Sequence, residues 1–235
     1  MTPFYKTSIL LCLIGFGAIA QGAPLSSKIS LGGFYASGQN NTTGQNNTTL
    51  TAGLLSLNIK KDRLSSTLST SYLNSKDGSK TKSGMGDTNL SLGYRLTSEP
   101  WLTLMGKYKF ATGDSKKGLS TGKDDVSIQL DYFKSLSLKT SAFATLGYKF
   151  TGKVSGQSMQ DTPYASIGGG YLPTSGLSIG ASLDYRQSTY KNLKDQTGLS
   201  LFLNKNLTPK VNITLFGGYD NTETTSAGLT FNYKL

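Results

Sequence analysis

Segments about ten residues long, in which apolar and polar side chains alternate, recur along the chain. The final seven residues show the alternation clearly: odd positions from Leu229 to Leu235 are apolar or aromatic, and even positions from Thr230 to Lys234 are polar. Successive side chains of a β-strand point to opposite faces, so each segment predicts a strand with one apolar and one polar face. A strand of this kind that runs to the last residue is typical of a barrel that closes in lipid, since soluble sheets usually fray into polar residues.

Twelve predicted strands can be placed along the sequence, separated by polar breaks that alternate between short and long. The predicted strands are 27–37, 48–60, 63–73, 88–97, 101–112, 125–134, 137–151, 163–172, 176–188, 197–205, 210–219 and 224–235. The predicted long loops are 39–47, 74–87, 113–124 and 152–161. Short turns on one side, long loops on the other and an even number of strands are the features of an outer-membrane barrel.

The apolar faces of these strands carry small and aliphatic residues in the middle and Tyr or Phe towards one end. In 137–151, for example, Leu146, Tyr148 and Phe150 lie on the face opposite Lys149. This gradient matches a lipid-facing band that ends in an aromatic girdle. A soluble β-sandwich or lipocalin-like barrel is the alternative, but soluble strands average about five or six residues and these are longer. The sequence therefore predicts an all-β fold, an antiparallel transmembrane β-barrel of about 12 strands.

The first 22 residues have the features of a secretory signal peptide. Lys6 supplies the positive charge, and a mostly apolar run of 12 residues, 9–20, follows it. That run is too short for a membrane-spanning helix, which needs about 20 apolar residues. Small residues permit cleavage either after Ala20 or after Gly22. We expect a signal peptide over 1–22 and the barrel over 23–235.

The composition excludes most catalytic chemistry. The chain has no histidine, and its one cysteine, Cys12, lies in the predicted signal peptide. Ser-His hydrolases (an outer-membrane lipid hydrolase among them), most zinc sites and thiol chemistry are therefore excluded. The formal net charge of +11 is compatible with nucleic-acid binding, but the sequence contains no nucleic-acid-binding motif. We expect no enzymatic activity, no cofactor and no nucleic-acid partner.

Charged residues fall mainly on the strand faces opposite the apolar ones. The lumen-lining candidates are Arg95, Lys107, Lys109, Asp131, Lys139, Lys149, Asp184, Arg186 and Lys234. Inward is the favourable placement, because a basic side chain facing lipid near the bilayer midplane costs about 2–4 kcal/mol. These charges either create an electropositive lining that favours anionic solutes or pair with one another and brace the barrel. The excess of basic over acidic candidates favours the electropositive lining.

Small and aromatic residues share the predicted inward face. The inward phenylalanines are Phe34, Phe133, Phe143, Phe202 and Phe216, and the inward small residues are Gly32, Ser69, Ser91, Gly147, Gly168, Gly170, Ser182 and Gly218. A barrel of about eight strands is filled by side chains, and one of about sixteen encloses an aqueous channel, so twelve strands are intermediate. The phenylalanines form either a stacking track for aromatic solutes or a plug.

The predicted loop 113–124 and the residue after it carry three carboxylates. Asp114, Asp124 and Asp125 are possible Ca²⁺ ligands, but three lysines crowd the same loop and no calcium-motif spacing is present. We therefore expect no metal site here, and a loop that folds inward or caps the pore.

Four segments together resemble a known family. They are GMGDTNLSLGYRL at 84–96, KFATGDSKKGLSTGKDDVSIQLDYFKS at 109–135, LGYKFTGK at 146–153 and SLDYRQS at 182–188. The segments resemble the outer-membrane β-barrel proteins of the phenol-degradation meta-pathway family, which are described as transporters. The most specific part is Thr112-Gly113-Asp114 with 120–122 ahead of Asp125. The resemblance implies a Gram-negative outer-membrane barrel that passes small molecules.

The sequence thus predicts an outer-membrane channel for passive diffusion of small molecules, with anionic or aromatic solutes as the candidates. The alternative is a closed structural or surface-binding barrel without conductance. The expected partners are the lipid bilayer, the barrel-assembly machinery and small-molecule solutes. The sequence does not define the oligomeric state.

Overall fold

The computed structural model describes residues 25–39 and 47–235 of the chain. The predicted signal peptide, 1–22, and most of the predicted loop 39–47 lie outside the described residues. The strands are β1 (Ser26–Gln39), β2 (Asn47–Lys61), β3 (Leu64–Asp77), β4 (Lys80–Met85), β5 (Thr88–Ser98), β6 (Trp101–Phe110), β7 (Asp125–Ser135), β8 (Thr140–Phe150), β9 (Thr162–Thr174), β10 (Leu177–Arg186), β11 (Gln196–Asn206), β12 (Val211–Asp220) and β13 (Thr225–Lys234).

The strands form one closed antiparallel barrel. Each strand pairs with its neighbours in sequence, and β1 closes the circle by pairing with β13, where Ile29 lies opposite Tyr233. Strand β3 pairs with β5 along its first half and with β4 along its second half. Because β4 and β5 follow one another along β3, with Gly86 and Asp87 between them, they occupy a single position in the wall. The barrel is therefore 12 strands around, as predicted.

The prediction that 74–87 forms a loop is wrong. It is an extension of the wall, in which β3 continues to Asp77, turns at Gly78 with a positive φ of 57°, and returns as β4. Its sequence lacks alternation because both faces of a hairpin beyond the lipid belt meet polar surroundings. The predicted strand 137–151 is also too long, because β8 begins at Thr140 and Leu136–Lys139 form a tight turn in which Leu136 N–H donates to Thr140 C=O.

The outer surface of the barrel is apolar. Leu92, Leu146 and Ile167 are 56%, 65% and 65% exposed, and Tyr rings stand near both ends of the outer face. The inward positions beside them are buried and polar, as at Thr145 (3% exposed). A soluble barrel or sandwich has the reverse arrangement, with apolar side chains in the shared core. The outward apolar face confirms the predicted transmembrane barrel.

The two ends of the barrel differ. The turns at one end are short, such as Asp62-Arg63 and Ser175-Gly176. The start of β1 and the end of β13 lie at this end as well. The connections 111–124, 151–161 and 187–195 lie at the other end and are longer. No helix among the described residues has the length and apolar character that a membrane span requires. The short-turn end and the long-loop end are the two mouths of the barrel.

Candidate solute path through the barrel

A hydrogen-bonded network covers the inner wall across β6 to β9. Gln129, which is buried, accepts hydrogen bonds at Oε1 from Lys107 Nζ (2.6 Å) and from Tyr164 Oη (2.9 Å). Its Nε2 donates to Asp131 Oδ1 (2.6 Å), which also accepts from Thr145 Oγ1 (2.7 Å). An amide therefore joins Lys107 to Asp131, and both predicted lumen charges are held against the wall.

Lys109 is paired near the long-loop mouth. Its Nζ lies 3.3 Å from Asp87 Oδ2 and 3.0 Å from Asp125 Oδ2, and it donates to Thr121 Oγ1. The two carboxylates also accept loop N–H groups, from Gly113 at Asp87 and from Gly152 at Asp125. One lysine between two carboxylates adds no net positive field, so Lys109 braces the mouth.

Lys149 and Arg186 lie differently. Lys149 Nζ donates to Thr189 Oγ1 (3.1 Å), and Arg186 donates to the side-chain carbonyl of Gln196. Neither has a carboxylate within 4.0 Å among the residues that the structure describes. The two cations project from β8 and β10, and β9 lies between them. Gln196 Nε2 in turn donates to Asp220 Oδ2 (3.2 Å), so an amide joins Arg186 to a carboxylate, and Asp125 attracts Lys149 at longer range. Lys149 and Arg186 therefore form a basic pair of the inner wall that no carboxylate contacts directly.

Two of the remaining predicted lumen charges, Arg95 and Lys234, lie in a group of cations at the short-turn mouth. The other two members are Lys28 and Lys60, and the charges of the group repel one another. Asp184 accepts hydrogen bonds from the hydroxyls of Ser182 and Ser200. Arg95 donates to the Asp62 carbonyl, and its guanidinium lies 5.8 Å from the Trp101 ring. Lys234 is exposed at the end of β13. Lys139 lies exposed in the turn before β8, and so lies outside the inner wall, because the Ser137 and Thr140 hydroxyls close that turn.

Aromatic side chains of the inner face lie directly opposite glycines of the next strand. The opposed pairs are Phe143 with Gly168, Phe202 with Gly180, Phe216 with Gly228 and Tyr164 with Gly147. A Cβ added at Gly228 would overlap Phe216 Cζ and lie 2.5 Å and 2.8 Å from two further ring carbons, so the ring occupies the space that a side chain would take. The rings therefore lie along the wall rather than across the lumen. The predicted inward sets contain the three phenylalanines, Gly147 and Gly168 but not Tyr164, Gly180 or Gly228. The pairing itself depends on the strand register, which parity does not give.

These rings form one continuous row. Register pairs link Trp101 to Phe133 and Phe133 to Phe143, and on the far side link Phe202 to Phe216. The Phe143 and Phe202 rings lie 5.9 Å apart, and Phe216 stacks with Phe34 at 6.3 Å. The rings end at Phe34, and Ala52, Leu73 and Gly84 are the register partners that extend the row to the β3–β4 hairpin. Barrel strands are tilted, so a row of residues that crosses them also advances along the barrel axis. This row runs from the short-turn mouth to the long-loop mouth.

A cavity of about 380 Å³ opens inside the barrel at the short-turn mouth. The rings of Trp101, Phe133 and Phe202 line it, together with the polar side chains of Ser141 and Asn204. The aromatic row begins in this cavity. The predicted inward set contains the two phenylalanines but not Trp101, which stands at the first position of β6.

The long loops narrow the opposite mouth. In 111–124, Lys117 Nζ donates to Ser83 C=O, and Leu119 lies beside Gly84 on the inner face of β4. The loops 151–161 and 187–195 pair through Gln160 N–H to Thr189 C=O (2.8 Å) and enclose Met159 (5% exposed). We expected the loop at 113–124 to fold inward, and its contacts with Gly84 agree with that expectation.

The loop carboxylates are engaged by protein donors. Asp124 accepts from Tyr108 Oη (2.7 Å) and from Ala111 N–H (2.8 Å), and these bonds lower the pKa of Asp124. Asp114 accepts from Lys117, whose backbone N–H lowers the pKa of Asp114. Asp125 is held by Lys109 and Gly152. Within the described part of the chain, no three acidic or other metal-binding side chains form a group that could hold an ion.

The comparisons with known proteins agree at the level of fold. No family model matches the sequence, and no curated protein matches it either. An outer-membrane channel from Pseudomonas putida F1 is similar in structure with a TM-score of 0.69, 19% identity, and coverage of 92% of this chain and 97% of that one. The NanC porin is similar with a TM-score of 0.64, 13% identity, and coverage of 88% and 100%. The chain has an outer-membrane barrel fold.

Fold alone does not settle function in this group. The translocator domain of the autotransporter NalP from Neisseria meningitidis is also similar, with a TM-score of 0.55, 10% identity, and coverage of 91% of this chain and 89% of that one. The same architecture thus occurs in a channel, a porin and a translocator domain. The resemblance to the phenol meta-pathway family is compatible with these neighbours and stays a prediction.

Proposed function

We propose that the protein is an outer-membrane channel of a Gram-negative bacterium, through which small solutes diffuse passively without any enzymatic step. The distribution of side chains carries this proposal: the outer surface is apolar, and the buried inner positions are mostly polar. A polar interior offers solutes a hydrated route across the bilayer. The inner rings lie over glycines, which keeps them out of that route. The proposed partners are the lipid bilayer, the barrel-assembly machinery and the solutes.

We further propose that anions are among the solutes. Lys149 and Arg186 have no carboxylate within 4.0 Å among the described residues, whereas Lys109 has two. A cation that no carboxylate contacts directly still attracts mobile anions, and a low-dielectric wall strengthens its field. Lys149 and Arg186 are therefore the lumen candidates that we expect to set selectivity.

The second candidate function is a closed structural or surface-binding barrel. The inward loop 111–124 favours it, since Lys117 and Leu119 bring that loop onto the inner face of β4. The docked loops 151–161 and 187–195 could also present a surface to a partner at the same mouth. Conductance separates the two functions.

The test is single-channel recording of the refolded protein in planar bilayers under a KCl gradient. We expect conductance with a reversal potential on the anion side, and a weaker preference in molar salt, where the screening length falls to about 3 Å. The variant K149Q/R186Q should shift the reversal potential towards cations. K76Q is the matched control, because Lys76 is exposed on the outer face of the β3–β4 hairpin.

Two results would count against the proposals. Absence of conductance in protein shown to be folded would favour the closed barrel. An unchanged reversal potential in K149Q/R186Q would mean that these cations lie away from the ion path, and the anion preference would then be wrong.

A further inference from the structure

Three lysines lie side by side on adjacent strands at the short-turn mouth. Lys28 of β1 is the register partner of Lys234 in β13. Lys60 of β2 is the register partner of Ser26, two residues before Lys28, so Lys60 and Lys28 are diagonal neighbours. Adjacent strands are about 4.8 Å apart, so the three side chains cover about 10 Å of the wall. This lysine trio faces the lumen, because the residues that alternate with it are exposed on the outer face: Ile29, Ile59 and Tyr233.

The lysine trio has no carboxylate in contact with it. Among the residues that the structure describes, no carboxylate oxygen lies within 4.0 Å of any of the three ammonium groups. The three charges repel one another, and Arg95 adds to the repulsion at Lys60. Like charges on directly opposed strand residues destabilise a sheet, and the partial burial of Lys28 and Lys60 disfavours their charged forms. An anion bound among the ammonium groups relieves both effects.

The surroundings of the trio are polar and leave room for a solute. Next to it on the inner face, the Ser30 hydroxyl donates to Asn232 Oδ1 (2.6 Å), so the wall there is neutral and hydrogen-bonded. On the side of Lys234 away from Lys28, a cavity of about 280 Å³ opens at the same mouth. Its lining is mostly polar and includes Lys234, Asn206 and Asn212. Because Lys234 belongs to both the trio and the cavity, a solute larger than a single ion can lie against the trio.

We propose that the lysine trio is a binding site for solutes that carry two or more negatively charged groups, such as small polycarboxylates. A single carboxylate reaches one or two of the ammonium groups, whereas charged groups several ångströms apart reach all three. The site rests on the proposed passage of anions, because it names the class of anion that the short-turn mouth selects.

Calorimetric titration of the refolded barrel in detergent tests the site, with citrate and separately with acetate at constant ionic strength. We expect saturable binding of citrate and no saturable binding of acetate. K28Q should weaken citrate binding about 5-fold or more, since an exposed ion pair contributes up to that factor and Lys28 is half-buried. Without citrate, K28Q should unfold at a higher urea concentration than the unaltered protein, because it removes like-charge repulsion. A lysine that only braced the wall would give the opposite shift. K234Q provides a second variant in case K28Q does not fold.

The matched control is K61Q. Lys61 follows Lys60 in β2 and is exposed on the opposite face, so K61Q removes one charge from the same mouth and leaves the trio intact. We expect its citrate affinity to equal that of the unaltered protein. The site would be refuted if the folded barrel bound no citrate, if acetate bound equally well, or if K61Q weakened binding as much as K28Q.

Calorimetry needs no ion flow, so failure of the channel function is separate. Citrate binding without conductance would refute the channel and keep the site. Anion conductance without citrate binding would refute the site and keep the channel.

Discussion

Replacement of Gly228 by alanine tests whether the inner rings lie flat against glycines. Gly228 stands in β13 between register partners Phe216 and Phe34, and the Phe216 ring lies over its Cα. An added Cβ would lie well inside van der Waals contact of three ring carbons, Cζ being the nearest and the other two lying at 2.5 Å and 2.8 Å. The neighbouring atoms belong to a side chain that can rotate, so we expect the ring to swing off the wall into the lumen.

The expected cost follows from that movement. Overpacking a well-packed site costs about 1–3 kcal/mol, and the displaced ring also loses its stacking with Phe34. G228A should therefore lower the free energy of unfolding by about 1–3 kcal/mol and reduce the single-channel conductance. Urea unfolding, followed by the fluorescence of Trp101, gives the first quantity, and planar-bilayer recording gives the second.

The matched control is Gly33, where an added Cβ meets nothing within 4 Å. G33A should leave conductance unchanged and stabilise the strand slightly, because glycine in a strand is less favourable than alanine by about 0.5–1 kcal/mol. The double variant G228A/F216A should recover conductance, since the ring that was displaced is absent. If G228A behaves like G33A in both assays, the ring does not depend on the glycine and the reasoning is wrong.

The other predictions concern the two faces of the barrel wall and the loop 111–124. L146K should block assembly, because a lysine that faces lipid near the midplane costs about 2–4 kcal/mol. T214K, on the inner face, should assemble. Migration on unboiled gels and outer-membrane fractionation measure assembly of both variants. Loop 111–124 should become sensitive to protease in acid. Hydrogen bonds from Tyr108 and Ala111 lower the pKa of Asp124. The contact that Asp124 makes is therefore fully present above the ordinary aspartate pKa, and it is lost as the pH falls through the lowered pKa of Asp124. D124N should weaken that pH dependence, and the remainder should come from Asp114, whose pKa is also lowered by Lys117 in the same loop.

The sequence specified the barrel because a lipid-facing strand must alternate along its whole length. Leu146, Tyr148 and Phe150 could be assigned to the outer face without a structure, and the structure leaves all three exposed. The same rule failed at the β3–β4 hairpin, since beyond the lipid neither face is required to be apolar. The rule also failed at Lys139. This residue continues the alternation of β8, but it lies in a turn that is held by hydrogen bonds, and alternation does not predict those bonds.

The candidate site was harder to predict, because parity gives the face of a residue but not its partner. Parity placed Lys109 and Lys149 on the same inner face, yet Lys109 is neutralised by Asp87, which belongs to the break between β4 and β5. Likewise, Phe216 and Gly228 could each be placed inward, but their contact depends on a register that spans two strands and a turn. Pairings of this kind are set by the three-dimensional register rather than by local pattern.

The inner wall divides its chemistry along the path. Lys149 and Arg186 lie towards the long-loop mouth, and the Trp101, Phe133 and Phe202 rings lie at the short-turn mouth. The short-turn mouth also carries cations, because Lys28 lies close enough to Lys60 and Lys234 for the three charges to repel one another. If anions pass through the barrel, as we propose, they meet positive charge at both mouths.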